Sequence, residues 1–264
     1  KLLNFVDILL CEDTRKTSKL LSAHRIKNKT LISYNDHNAS KKRPYVINQL
    51  LLDKSIGLVS DAGTPLISDP GYKLVQECYL KNINVTHSPG PSSVINALVL
   101  SNLPSDQFYF GGFIPSNKSG KEKKFLLTKY NQMTGIWFDT CIRLPNTLKV
   151  MLNIYGNRKI SIMRELTKTH EDVILSDLEN IENILLKRKE SNIPLLGEIV
   201  VVISGYQLNS DLDIDIIKGN IKEKLSSFSL RDTVNMIVSE TGLSKKIIYE
   251  EAIKINNENI NTKK

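Results

Sequence analysis

Short apolar runs alternate with stretches of helical spacing through the first part of the chain. Ile8–Leu10, Leu31–Ser33, Ile56–Val59 and Asn84–Thr86 read as strands, while Arg15–Ala23, Pro44–Leu52, Tyr72–Lys81 and Ser92–Leu100 carry the helical period. The alternation predicts a mostly parallel sheet covered by helices. In open sheets of that kind, ligands sit beyond the carboxyl ends of the strands, where the loops into the helices converge. The pattern then changes. Phe108–Phe113 is an aromatic, glycine-containing strand, and the polar stretch PSNKSGKEKK (Pro115–Lys124) has the make-up of a linker or mobile loop. Beyond it Ile136–Phe138, Ile160–Met163 and Ile199–Ile203 read as strands and Thr147–Tyr155 and Leu178–Lys189 as helices, a second α/β unit. Leu225–Ser239 lacks Pro and Gly, and ETGLSKKIIYEEA places Gly242 as a helix stop and Ser244 as the next N-cap, giving two helices joined by a short turn. The expected domains are 1–112, 113–210 and a helical module at 222–258.

Composition narrows the class. No run approaches the roughly 18 apolar residues of a membrane span, which leads to the expectation of a soluble cytoplasmic protein with no membrane partner. The three cysteines, Cys11, Cys78 and Cys141, are odd in number, far apart and set among apolar neighbours, which fits reduced thiols better than a disulfide framework or a metal site. A formal charge of +8 suits an anionic partner, but a surplus of lysine is equally a solvated surface. Local clusters say more than the total. Lys118, Lys121 and Lys123 in the polar stretch, and Arg231, Lys245 and Lys246 in the helical tail, are the candidate phosphate contacts.

Four loops follow strand-like runs with chemistry-bearing residues. In LVSDAGTPLISDPGY (Leu58–Tyr72) the small residues after Val59 let a ligand approach the main chain, and Asp69, Pro70 and Gly71 open the next helix. An ordinary Gly/Pro turn would have the same composition. HSPGPSS (His87–Ser93) repeats the design, with hydroxyls poised to cap a helix, and two such loops at equivalent strand ends favour a pocket. Neither a nucleoside-triphosphate loop nor a dinucleotide fingerprint is present, so the ligand is not expected to be held by phosphates. CEDTRK (Cys11–Lys16) carries Glu12, Asp13 and Arg15, with a helix cap at Asp13 as the plain reading; MRELTKTHE (Met163–Glu171) carries Arg164, Glu165 and Lys168, with a surface ion-pair network as its plain reading.

Taken together, EDTRKT, SDAGTPLISDPGY, SPGPSSVINAL, LPSDQFYFGGF, RELTKTHE and LGEIVVVISG resemble the bacterial ribosomal RNA small subunit methyltransferase I family, tetrapyrrole-methylase-like enzymes of methyltransferase class III. The resemblance covers nearly the whole chain. It implies an α/β, two-domain tetrapyrrole-methylase-like fold, with a parallel-sheet amino-terminal domain, a mixed-sheet second domain and a small helix-turn-helix-like carboxyl-terminal module. It further implies methyl transfer from S-adenosylmethionine to the ribose 2′-oxygen of a cytidine in the decoding centre of 16S ribosomal RNA, free or in the assembled small subunit, by a homodimer. The implied cofactor cradle is Ala62, Gly63, Thr64, Pro65 and Ile67, with Thr64 in place of the acid of a G-G-D-P-like turn. Ser92 and Ser93 match the second cofactor loop, and Phe138 and Gly197 lie where the second domain should close over the adenosine. Because the sulfonium is already activated, the enzyme has mainly to align the oxygen and ease loss of its proton. Glu12, Asp13, Glu165 and Lys168 are the candidates to accept or relay that proton, and Arg15 and Arg164 to position substrate phosphates.

Two departures qualify the resemblance. The family carries a preceding strand and a T-P-I-G-N-L loop that this chain lacks, so an incomplete amino terminus is expected. Its Y-E-S-x-H-R segment appears as FDTCIR within WFDTCIR (Trp137–Arg143), with Asp139 for Glu and Ile142 for His, so no role of that histidine carries over. The competing readings are a same-fold methylase of a tetrapyrrole or a modified protein residue, and a catalytically silent RNA-binding protein.

Overall fold

A computed structural model of the chain describes residues 2–191, 196–207, 211–241 and 243–261. The helix stop expected at Gly242 lies outside the described residues. The chain divides into two compact units, Lys1–Ser93 and Val94–Lys264. None of the described helices is long and apolar enough to cross a membrane.

The first unit runs α1 (Leu2–Phe5), β1 (Ile8–Cys11), α2 (Thr14–Ala23), β2 (Thr30–Ser33), α3 (Ala39–Leu51), β3 (Ile56–Val59) and α4 (Tyr72–Leu80). The three strands form a parallel sheet in the order β2-β1-β3, in register from Ile8 opposite Thr30 and Ile56 to Cys11 opposite Ser33 and Val59. The central strand is buried throughout, as expected where helices cover a parallel sheet. Ile8 and Leu10 pack with Tyr34, Val46, Ile47, Leu74 and Cys78, so α3 and α4 each contribute to one core. Helix α3 begins five residues before Pro44, which sits inside it and forgoes one intrahelical hydrogen bond. Asn84–Thr86, expected as a fourth strand, pairs with no described neighbour; a β-forming pattern becomes a strand only where another chain edge supplies the ladder.

The second unit contains α5 (Ser93–Leu100), β4 (Phe108–Phe113), α6 (Lys118–Leu127), β5 (Thr134–Thr140), α7 (Leu144–Tyr155), β6 (Lys159–Arg164), β7 (Asp172–Asp177), α8 (Ile181–Glu190), β8 (Glu198–Ile203), α9 (Asp211–Leu225), α10 (Leu230–Thr241) and α11 (Lys245–Asn261). Its sheet has the order β4-β5-β8-β6-β7, with β4 and β5 parallel and the remaining pairs antiparallel. Since β4 is laddered to β5, it belongs with the second unit, ahead of the boundary expected after residue 112. The stretch expected as a mobile linker is largely helix α6. Asn117 caps it, its Oδ1 accepting from the Gly120 amide at 2.6 Å, and Phe125 anchors it in the core. Trp137 fills the middle of that core with Tyr109 and Phe125 edge-on at 5.6 and 5.7 Å. Gly111 permits this: a Cβ there would lie 2.0 Å from the indole ring. The last three helices pack around their own core of Ile217, Ile221, Val234, Ile237, Leu243 and Ile248, and Ser229 opens α10 by accepting from the Asp232 amide at 3.2 Å.

Candidate active-site loops

In the first unit, the turns beyond β1 and β3 are knitted together. Glu12 Oε1 accepts from the Asp61 amide at 3.1 Å, and Lys16 pairs with Asp61 at 2.8 Å. Asp13 is the N-cap of α2, accepting from the Arg15 amide at 2.8 Å and from the Arg15 guanidinium at 2.7 Å. That guanidinium holds the Asp13 carboxyl far below the usual carboxylate range. The plain reading of Asp13 as a cap is therefore what the local geometry supports, and Arg15, with a side chain 86% exposed, folds back onto it.

The loop from Ser60 to Gly71 holds an unusual backbone. Leu66 and Ser68 have φ of 75° and 62°, a region that side chains with a Cβ adopt at a cost, and Gly71 has φ of 134°. Gly63 also has positive φ, yet open space lies where its Cβ would be, and it and Ala62 are exposed. Ser60 Oγ reaches the carbonyls of Ala62 and Gly63, both at 3.2 Å, which fixes the turn. The Thr64 hydroxyl donates to the Pro91 carbonyl at 2.9 Å. The loops at 60–71 and 87–93 are thus tied to each other, although only the first of them follows a strand, since Asn84–Thr86 does not form one. Pro65 is half-buried and Ile67 exposed beside them, and Ser92 and Ser93 are half-buried at the start of α5. Neither loop carries a lysine or arginine.

Sequence reasoning did not single out Asp69 as a functional residue. It is half-buried, and burial together with the nearby charges of Glu12, Asp36 and Asp61 raises its carboxyl to about 6. Between the unfolded value of 3.8 and about 6, the folded chain keeps a proton that the unfolded chain releases, so stability present at acid pH is lost as pH rises through that window. Asp69→Asn removes the loss. The variant is expected to melt above the parent at pH 7.5 and with it at pH 4; equal shifts at both values in thermal denaturation would exclude the electrostatic cause.

In the second unit, β6 ends at Arg164, whose Nε donates to the Leu196 carbonyl at 2.6 Å. Glu165 follows with φ of 48°, and its Oε1 accepts from the Glu198 amide at 2.8 Å and from Lys168 Nζ at 3.2 Å. Lys168 also pairs with Glu198 Oε2 at 2.9 Å. The hydrogen bond donated by the Glu198 backbone amide, and then Lys168, hold the Glu165 carboxyl below its ordinary value, while Glu198 and Glu165 raise the Lys168 ammonium. Gly197 completes the arrangement: with φ of 100°, a Cβ there would lie 2.4 Å from Glu165 Oε1. Glu165, Lys168 and Gly197 therefore form one cluster, and Glu198 is the member that sequence reasoning missed; its only signal was a charge at the head of an apolar strand. Phe138 stands apart from the cluster's polar contacts, with rings of Phe110 and Phe113 at 4.8 and 5.3 Å.

The basic residues divide. Lys118, Lys123, Arg231, Lys245 and Lys246 are exposed. Lys121 is 2% exposed and turns inward on α6, its ammonium 3.3 Å from Asn146 Oδ1, so it is withdrawn from the surface where a phosphate would be met. A helix replaces the loop on which all three lysines were expected to project, and one face of that helix is core.

Residues 1–182 match the family model of tetrapyrrole (corrin/porphyrin) methylases. The chain is 41% identical over 242 residues to the ribosomal RNA small subunit methyltransferase I of Rickettsia prowazekii, covering 92% of this chain and 79% of the relative. It is 40% identical over 207 residues to the protein of the same name from Thermotoga maritima, covering 78% and 90%. Among solved structures, a diphthine synthase superposes with a TM-score of 0.55 at 11% identity, over 76% of this chain and 81% of that one, and shares the fold. The chain belongs to the tetrapyrrole methylase family and, by its closeness to these relatives over most of both lengths, to the ribosomal RNA small subunit methyltransferase I group within it.

Proposed function

We propose that this protein methylates the ribose 2′-oxygen of a cytidine in the decoding centre of 16S ribosomal RNA, with S-adenosylmethionine as donor, in the cytoplasm and as a homodimer. The observation that carries the reading is the 41% identity with a ribosomal RNA small subunit methyltransferase I across 92% of the chain. The donor supplies an electrophilic methyl on a sulfonium. Ala62, Gly63, Thr64, Pro65 and Ile67, with Ser92 and Ser93, hold it through main-chain groups that the tied loops keep exposed. In the second unit, Gly197 keeps the backbone close enough for Glu165 to stay seated. The acceptor is a weakly acidic hydroxyl, and its proton must leave as the carbon–oxygen bond forms. Ionised Glu165 accepts it, and Lys168, bridging Glu165 and Glu198, keeps that carboxylate charged and oriented. Glu12 and Asp13 brace the donor loop through Asp61. Arg164 and the exposed Lys118, Lys123, Arg231, Lys245 and Lys246 contact RNA phosphates.

A tritium-methyl assay on free 16S RNA and on assembled small subunits tests the reading. Transfer to a cytidine 2′-oxygen is expected in the wild type, and Glu165→Gln should slow turnover by on the order of a hundredfold or more while leaving donor affinity unchanged. No transfer to either form of the RNA would overturn the function; unchanged turnover in Glu165→Gln would remove Glu165 as the proton acceptor.

A further inference from the structure

Strand β8 lies between β5 and β6, and both ladders run out beside its first residue, Glu198. On the β5 side the last pair is Thr140 with Glu198. There the chain turns away into α7, the Arg143 amide donating to the Thr140 carbonyl at 3.1 Å, so the pair next in register, Cys141 and Gly197, falls outside the ladder. A side chain takes over. The half-buried Cys141 thiol donates to the Gly197 carbonyl at 3.1 Å, in place of the main-chain bond that another rung would have made. Burial pushes this thiol up, so at neutral pH it carries the proton that it donates.

The carbonyl held in this way belongs to the same peptide unit as the Glu198 amide, which donates to Glu165 Oε1 at 2.8 Å. A trans peptide is planar, its C=O and N–H pointing opposite ways, so fixing one group aims the other. Gly197 offers little resistance of its own. With φ of 100° and no Cβ, it can let the following peptide rotate at small cost, and the thiol is the bond that opposes the rotation from the β5 side. A donor on the carbonyl also polarises the amide and strengthens its bond to the carboxylate. The charges facing this peptide are Arg164 at the end of β6, Glu165 and Lys168 in the turn after it, the Glu198 side chain on β8, and Asp139 on β5, which Arg143 already pairs.

We propose that Cys141 is a positioning residue for Glu165: by holding the Gly197–Glu198 peptide, its thiol keeps the Glu198 amide aimed at the carboxylate that takes the ribose proton. The inference rests on the reading of Glu165 as the proton acceptor. Cys141 acts through the peptide, so its loss falls on turnover and on the titration of Glu165 rather than on the binding of RNA or donor.

The test compares the wild type with Cys141→Ala and Cys141→Val, which remove the donor, and Cys141→Ser, which keeps one. Carbon-13 NMR follows the Glu165 carboxyl, assigned with Glu165→Gln, hydrogen exchange follows the Glu198 amide, and methyl transfer to small ribosomal subunits is measured across pH. In the Ala and Val variants the Glu198 amide should exchange faster, and the Glu165 carboxyl and the acid limb of kcat should both move to higher pH. Turnover should fall about fivefold, the size of one weak hydrogen bond. KM for RNA and for donor should stay within about twofold of the wild type, as for an interaction that matters only in the transition state. Cys141→Ser should restore all of these toward the wild type. Unchanged Glu165 titration and Glu198 exchange in both Ala and Val variants overturn the inference, as does a Ser variant no better than Ala or a rise in KM with kcat untouched. A shifted titration with unchanged turnover overturns Glu165 as the acceptor, and the positioning role with it. A wild type that transfers no methyl group overturns the functional reading, while titration and exchange in the same protein still decide whether Cys141 governs Glu165.

Discussion

Asp139→Ala should lower the stability of the second unit by about 3–5 kcal/mol, the cost of stranding the partners of a buried ion pair. The Asp139 side chain is fully buried, and three donors converge on it: the Arg143 guanidinium at 2.9 Å, the Thr147 hydroxyl at 2.6 Å and the Thr140 amide at 2.8 Å. These donors lie on the end of β5 and the first turn of α7, so the carboxylate fixes the angle at which the chain leaves the strand and enters the helix. Removing it strands Arg143 beside a cavity and leaves the Thr147 hydroxyl, on a residue with no exposure, without its acceptor. Thermal denaturation should show a fall of roughly 6–20 °C, given about 2–4 °C per kcal/mol for a unit of this size. Asp139→Asn keeps the shape and loses the charge, and should fall between the two. A change under 1 kcal/mol in Asp139→Ala would show that the cluster does not hold the corner.

Gly71→Ala should weaken binding of S-adenosylmethionine by roughly thirtyfold, the equivalent of a penalty near 2 kcal/mol. A Cβ at residue 71 would lie 2.5 Å from Leu58 Cδ2 and 2.8 Å from Leu66 Cδ1, and φ of 134° is already unfavourable for any residue with a Cβ. Relief must come both from Leu58, on β3, and from Leu66, which sits at positive φ in the middle of the proposed donor loop. The strain would therefore be passed into the main chain that grips the donor. Gly63→Ala provides the contrast: it too has positive φ, but its Cβ would enter open space, so the loop should keep its path and lose only about 1 kcal/mol of stability. Calorimetric titration of both variants reads the difference. Equal donor affinity in Gly71→Ala and wild type would mean that the loop is not part of the donor site.

Where the sequence carried strong periodicity, it located the elements. β1, β3, β6 and β8 lie within a residue or so of the apolar runs that marked them; for β1, β6 and β8 this is because a strand buried on both faces cannot be written in other residues. The failures have physical causes. PSNKSGKEKK has the composition of a loop, and composition hides the cap at Asn117 and the helical spacing of Lys121 and Phe125, the two residues that α6 turns into the core. Asn84–Thr86 has the right residues for a strand, but pairing depends on a partner that local pattern does not specify. β7 (Asp172–Asp177) went unrecognised because both its ends are acidic and its middle is only partly buried. At the candidate site, glycine-rich and charged motifs marked loops that hydrogen bonds tie together, the turns beyond β1 and β3 and the loop at 87–93. Glu198 and Asp69 were missed because their significance lies in neighbours far away in sequence: Glu165 for one, Glu12 and Asp61 for the other.

Strand β8 links two places on the second unit. Its first residue, Glu198, belongs to the Glu165–Lys168 cluster, and the chain leaving its last residue, Ile203, runs on to Tyr206, which packs beside Arg158 and Tyr130. Hydrogen-bonded on both sides, to β5 and β6, it can neither stretch nor slide. Six strand residues at about 3.3 Å each set a fixed gauge of roughly 20 Å between the two. Whatever displaces one end of the strand therefore displaces the other, so the Glu165–Lys168 cluster and the packing around Tyr206 cannot shift independently.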